Sequence, residues 1–138
     1  MMPVAVSSRN AALGSRVTRP PLAQKVQHEG LRFRVERRGH GPAVLLLHGF
    51  PDSLRLWDAV APRLEAAGFH VIALDQRGYG ASDAPVGAGH YHIERLVGDA
   101  AGVLKALGVH EPVHVMGHDW GAVVTWCLAI TRPGMVRS

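Results

Sequence analysis

The chain has 138 residues, of which 47% are hydrophobic and 19% charged, and this composition indicates a single modest globular domain. Its net charge of +4 is unevenly placed: residues 1–38 carry eight Lys/Arg and two acids, a net +6, and the other 100 carry seven and nine, a net −2. Because no interleaved aromatics or binding motif accompany the basic region, the sequence predicts no nucleic-acid partner. Its longest apolar stretch, Ala122 to Leu128, is far shorter than the roughly 18 residues of a membrane span, so no membrane association is predicted.

The first residues differ in composition from the rest. Residues 1–23 contain no acid and include the Pro20-Pro21 break, which predicts a disordered leader before a domain that spans residues 24–138. An organellar transit peptide has a similar composition and is the alternative reading of the leader. Cys127 is the only cysteine, so no internal disulfide can form, and a reduced, cytoplasmic setting is expected.

The domain begins with a predicted β-hairpin. Leu31, Phe33 and Val35 alternate with charged residues, which is typical of a half-exposed strand. The pair Glu29-Gly30 can turn an earlier short strand into this one. We therefore expect an antiparallel hairpin at the edge of a sheet.

Three apolar runs without alternation follow, at residues 43–47, 69–74 and 113–116. Such runs predict strands that are covered on both faces. Between and after them lie helical patterns: a first helix through residues 56–64, a second through 93–107 and a third from Trp120 to Thr131. Alternating strands and helices predict a parallel α/β sheet with flanking helices. Trp57 and Trp126 are expected to lie in its core.

The most informative stretch is Gly117-His118-Asp119-Trp120-Gly121. It lies between a strand and a helix, with glycines at both ends, and matches the G-x-S-x-G nucleophile elbow with aspartate in place of serine. An aspartate, with a reference pKa of about 3.9, is ionised at neutral pH and needs no base to become a nucleophile. A simple N-cap of the following helix is the alternative role for Asp119.

Two further motifs precede the elbow, each at the end of a predicted strand: His48-Gly49-Phe50-Pro51 and the segment from Asp75 to Asp83. In open α/β sheets ligands gather at these strand ends. In this order the three motifs resemble the α/β-hydrolase family, most closely its epoxide hydrolase branch. The likeness covers about residues 25–138.

The resemblance implies roles for individual residues. Asp119 would be the nucleophile, which opens an epoxide and forms an alkyl ester that water then hydrolyses to a diol. The backbone amides of Phe50 and Trp120 would form the oxyanion hole, and Pro51 would follow a cis peptide bond. The segment 75–82 would be structural. The surrounding motif residues would support this geometry: His48, Gly49, Pro51, Gly117, His118 and Gly121.

Other activities remain open from the sequence. Haloalkane dehalogenases share the aspartate and the following tryptophan but usually place Asn or Glu where this chain has Phe50. Haloacetate dehalogenases keep His-Gly-Phe-Pro but tend to have arginine where this chain has Trp120. Epoxide hydrolysis is therefore the leading prediction, with a dehalogenase-like hydrolase as the alternative.

The resemblance also implies that residues are missing. The family's lid domain, C-terminal part and general-base histidine lie beyond the region that this sequence covers, so we expect a truncated chain without turnover or a non-catalytic fragment. No cofactor or metal is expected, because the nine histidines show no ligand spacing. The expected partner is a small electrophile such as an epoxide, and the sequence does not specify an oligomeric state.

Overall fold

A computed structural model describes residues 19–138, and within them five strands form one mixed sheet. Its order is β1-β2-β4-β3-β5, so the chain crosses over between β3 and β4 and between β4 and β5. The strands are β1 (Leu22–His28), β2 (Leu31–Arg38), β3 (Ala43–Leu47), β4 (His70–Leu74) and β5 (His114–Gly117). This arrangement confirms the predicted partial α/β-hydrolase fold, with an antiparallel hairpin at one edge.

Strands β1 and β2 pair antiparallel through the turn at Glu29 and Gly30, both of which have a positive φ. The side chains of Phe33 and Val35 on β2 are fully buried, as their alternation predicts. The first strand begins at Leu22, so residues 22 and 23 belong to the sheet and not to the expected leader. Residues 1–18 of that leader lie outside the described part of the chain.

The central strands carry the site. Strand β3 pairs in parallel with β4 on one side and β5 on the other, and all five of its residues are buried. Parallel strands with helices on both faces bury their whole length, which explains the unalternating sequence. As a result, the carboxyl ends of β3, β4 and β5 lie side by side at one end of the sheet.

Helices cover the two faces of the sheet. Helices α2 (Ile93–Ala106) and α3 (Trp120–Thr131) match the predicted segments closely. The first predicted helix instead divides into a 3₁₀ turn, Leu54–Trp57, and the short α1 (Ala61–Ala66), in which proline is near the start. Proline cannot donate the backbone hydrogen bond of a helix interior, so the α-helix begins there. Among the described residues every helix is too short or too polar to cross a bilayer.

The tryptophans differ in their placement. Trp57 is buried against the sheet, as predicted, but Trp126 on α3 is 71% exposed and the prediction that it lies in the core is wrong. Ile130, one turn later, is 74% exposed. Helix α3 is apolar on nearly every side, so its sequence could not indicate which face packs. Leu128, between them in sequence, is fully buried instead.

Candidate active site

The elbow is a sharp turn between β5 and α3. Asp119 has φ +56° and ψ −124°, a combination that residues with a side chain rarely adopt and that costs of order 1–3 kcal/mol. The backbone is fixed on both sides: the amide of His118 donates to the Leu47 carbonyl at 3.1 Å, and the amide of Gly121 donates to the His118 carbonyl at 2.9 Å. This turn directs the Asp119 side chain away from α3 and towards the end of β3.

Three glycines are needed at this turn because other atoms occupy the space that a side chain at these positions would require. A Cβ at Gly121 would lie 2.0 Å from the carbonyl oxygen of Leu47, and a Cβ at Gly117 would lie 2.3 Å from that of Gly121. At Gly49 it would lie 2.4 Å from the Cβ of Asp119. All three separations are far below van der Waals contact, so the glycines of both motifs are required by close approach rather than by backbone freedom.

The carboxylate of Asp119 contacts the backbone amide of Phe50, the residue that the motifs predict beside it. The backbone N–H of Phe50 donates to Oδ1 of Asp119 at 2.9 Å. The amide of Phe50 first, and then that of Trp120, lower the pKa of Asp119 below its ordinary value, and the charge of His118 adds to this effect. The carboxylate makes no side-chain capping bond to α3. The Phe50–Pro51 peptide bond is cis, as expected.

His48 is locked inside the loop that carries Phe50. Its Nε2 accepts the amide N–H of Gln76 at 3.0 Å, so its Nδ1 holds the proton and donates to the Gly49 carbonyl at 2.9 Å. The ring is fully buried, and the Gln76 side chain donates to the His48 carbonyl. Both ring nitrogens are therefore occupied, which leaves His48 a part of the scaffold.

The segment after β4 braces the same loop. Oδ1 of the buried Asp75 accepts the amide of Leu54 at 2.7 Å, and Oδ2 accepts the amide of Ala81 at 2.9 Å. A Cβ at Gly80 would lie 2.2 Å from this carboxylate. Asp75 thus fixes the loop after β3 to the loop after β4 without facing the site.

Arg77 anchors the same segment to α2. Its Nε and Nη2 donate to the two carboxylate oxygens of Asp99 at 2.8 and 2.7 Å, and Nη1 donates to the His90 carbonyl at 2.8 Å. The hydrogen bonds to Asp99 raise the pKa of Arg77. Because the pair is buried and two-pronged, it fixes both position and orientation.

A cavity that the sequence did not indicate lies beside the elbow. It measures about 180 Å³ and is lined by residues from three segments of the chain: Gln76, Arg77, Tyr79, Tyr91, Leu96 and Trp120. The Tyr79 ring also meets His48 edge to face, with ring centres 5.2 Å apart. Burial raises the pKa of Tyr79, and the charge of Asp119 raises it further. These residues have no common sequence pattern, because the fold alone brings them together.

The geometry defines an α/β hydrolase, and comparison with known families agrees. A family model of the alpha/beta hydrolase fold matches residues 42–138, which is more than half of the chain. The chain therefore belongs to the α/β-hydrolase fold family.

Within this family the chain is similar to several epoxide hydrolases. Epoxide hydrolase A of Mycobacterium tuberculosis is 45% identical over 108 residues, which are 77% of this chain and 33% of that protein. Epoxide hydrolase B of the same organism is 50% identical over 93 residues, or 67% of this chain and 26% of that protein. Bifunctional epoxide hydrolase 2 of Sus scrofa is 43% identical over 109 residues, which are 79% and 20% of the two chains.

Solved structures give the same result. An epoxide hydrolase of Vigna radiata superposes with a TM-score of 0.83 at 37% identity, and the match covers 86% of this chain and 37% of that one. Epoxide hydrolase A of Mycobacterium thermoresistibile gives 0.80 at 42% identity, with 84% and 37% covered. The chain is thus epoxide hydrolase-like, as the motifs predict, and it spans between a fifth and two fifths of the length of these relatives.

Proposed function

We propose that Asp119 is the nucleophile of an epoxide-opening reaction, and that the amides of Phe50 and Trp120 are its oxyanion hole. The observation that carries this proposal is the carboxylate of Asp119, exposed at the elbow and held through Oδ1 by the Phe50 amide. An exposed carboxylate that accepts the Phe50 amide, and whose pKa is lowered by the nearby amides, stays charged at neutral pH. The similarity to epoxide hydrolases supports the choice of an epoxide as electrophile.

The two carboxylate oxygens would have different tasks. Oδ1 is engaged by the Phe50 amide, so Oδ2 would attack a ring carbon of the epoxide and form the ester bond. The carbon–oxygen bond of the ring would break at the same time, and the released alkoxide would take a proton from a donor or from water. No atom is lost in this step, so the protein would gain the whole mass of the epoxide.

Release of product would require a second reaction. Water would attack the ester carbonyl carbon of Asp119, and the negative charge would develop on the oxygen that already lies at the Phe50 amide. Donors fixed in advance at that position stabilise such an oxyanion without reorganisation. Breakdown of the intermediate would return the carboxylate and release a diol.

The second step also needs a base to activate the water. The buried His48 has both nitrogens engaged. No histidine in the described residues hydrogen-bonds the Asp119 carboxylate. We therefore propose that the 138-residue chain alkylates itself once on Asp119 and does not turn over, and that full activity belongs to a chain with the length of its relatives.

Intact mass spectrometry tests this proposal directly. The chain, incubated with a reactive terminal epoxide, should gain one epoxide mass, and peptide mapping should place the addition on Asp119. Asp119→Asn, which keeps the shape but not the charge, should gain none. Multiple turnover by the chain, or an adduct that persists in Asp119→Asn, would contradict the mechanism.

An alkyl halide matched to the epoxide distinguishes epoxide hydrolase-like from dehalogenase-like activity. A terminal alkyl halide with the same carbon skeleton would add only the alkyl group, because halide leaves when the ester forms. An epoxide hydrolase-like site should react faster with the epoxide. Faster reaction with the halide, still lost in Asp119→Asn, would keep the nucleophile and favour a dehalogenase-like hydrolase.

A further inference from the structure

A basic groove lies at the end of the sheet opposite Asp119. It has a volume of about 650 Å³ and is found where β2 ends and where β3 and β4 begin. A five-residue strand spans roughly 16 Å, so this groove is well separated from the elbow. Its charged and imidazole side chains are Arg19, Arg37, Arg38, His40, His70 and Glu65.

The positive charge in this groove exceeds the negative charge. Glu65 is the one carboxylate among the described lining residues, and it pairs with Arg38 at 3.4 Å. Within the described part of the chain, Arg19 and Arg37 have no carboxylate at ion-pair distance. Residues 1–18 contain two arginines and no acid, so they cannot provide the missing negative charge.

Arg37 has the geometry to hold a ligand with several oxygens. Its Nε donates to Nε2 of His70 at 3.2 Å, which fixes the guanidinium beside the strand and leaves its two terminal nitrogens without a partner among the described residues. Because Nε2 accepts this bond, His70 is neutral; burial first, and then Arg37 and His40, lower the pKa of His70. A fixed guanidinium whose terminal nitrogens are free matches the oxygens of a phosphate or carboxylate.

We propose that this groove binds a phosphate group, with Arg37 as its two-pronged contact, Arg19 as a further source of positive charge and His40 as a further hydrogen-bonding side chain. A phosphate monoester carries about two negative charges at neutral pH, which matches the two arginines that lack a carboxylate. A single carboxylate would neutralise only one of them. The site is concave, so it fits a phosphate group that projects from a soluble metabolite or from a lipid headgroup.

Binding can be followed on the two histidines of the groove. Inorganic phosphate, added to the 138-residue chain at constant ionic strength and pH, should shift the imidazole NMR signals of His40 and His70 in a saturable way. Arg37→Ala should weaken this binding about tenfold, equivalent to about 1.4 kcal/mol. Arg95→Ala removes the same charge from an exposed position on α2 and should change it less than about twofold.

Two further variants distinguish a loss of phosphate binding from a loss of folding. Arg37→Lys keeps the charge but removes the planar fork, and should weaken binding several-fold. His40→Ala lies in the exposed loop after β2 and should weaken binding while circular dichroism stays unchanged. Equal weakening by Arg95→Ala and Arg37→Lys would show general attraction of anions and would overturn the site.

Two binding experiments, the arms of this test, distinguish a soluble phosphate monoester from a lipid headgroup as the source of the phosphate group. Glycerol 3-phosphate represents a soluble monoester. Phosphatidylcholine vesicles that contain phosphatidic acid represent a headgroup, with phosphatidylserine vesicles as the anionic control. Binding that depends on Arg37 in either arm supports the proposal and identifies the source. No saturable binding in either arm, or binding that Arg37→Ala leaves unchanged in both arms, would overturn it. The outcome does not depend on Asp119.

Discussion

The Phe50 amide and the Asp119 carboxylate are 69 residues apart in sequence, and their donor and acceptor atoms are 2.9 Å apart in the fold. The contact arises because β3 and β5 are neighbours in the sheet, so the loop after one strand meets the turn after the other. The position of each partner therefore depends on that of the other.

The first prediction concerns pH. The nearby amides lower the pKa of Asp119. The carboxylate should therefore remain ionised, and so nucleophilic, at pH values below the usual aspartate pKa of about 3.9. The adduct-forming rate of the chain should therefore be level between about pH 5 and 8, and fall only when acid protonates Asp119. The stability that the Phe50 amide bond gives is likewise present at neutral pH and lost as the pH falls through this lowered pKa.

Adduct formation measured by mass spectrometry across this range checks the pH prediction. Gly49→Ala supplies the comparison, since its new Cβ would displace Asp119 and weaken the amide contact. In that variant the inflection should move upwards towards the ordinary value. An inflection near neutral pH in the unaltered chain would instead indicate that a histidine controls the reaction.

The second prediction compares two glycines in helices. Gly121→Ala places a Cβ 2.0 Å from the Leu47 carbonyl, so it should lower the free energy of unfolding by about 1–3 kcal/mol, as overpacking does. A Cβ at Gly98 on α2 would have no neighbouring atom within 4 Å, and alanine there should stabilise the helix by up to about 1 kcal/mol. Urea unfolding measures both changes. Equal effects would mean that the elbow can relax around a side chain.

The third prediction concerns the buried ion pair between Arg77 and Asp99. Arg77→Ala leaves a buried carboxylate without a partner, which should cost about 3–5 kcal/mol in the free energy of unfolding. The matched control is Arg32→Ala on the exposed pair with Asp83, where the expected loss is about 0–1 kcal/mol. Denaturant titration of both variants checks this difference. Losses of the same size would show that water reaches the Arg77 pair.

The sequence predicted the geometry of the turn at Asp119 more completely than the packing around it. Glycines, a turn and an ionisable residue have to follow one another in the chain, so the elbow and the pairing of Phe50 with Asp119 could be inferred from motifs. The cavity beside Trp120 could not, because its walls come from three distant segments. The failure at Trp126 has a similar cause: an apolar helix has no polar face to show which side meets solvent.

The fourth prediction uses helix α3, where Trp126 is 71% and Leu128 is 0% exposed. Trp126→Lys should change the free energy of unfolding by about 0.5 kcal/mol or less, and should reduce self-association because it interrupts the exposed apolar surface that includes Ile130. Leu128→Lys introduces a charge of the same kind into the core and should unfold the domain. Light scattering and circular dichroism measure the two effects. If Trp126→Lys also unfolds the chain, the indole is covered in solution, and the surface assigned to this helix face is wrong.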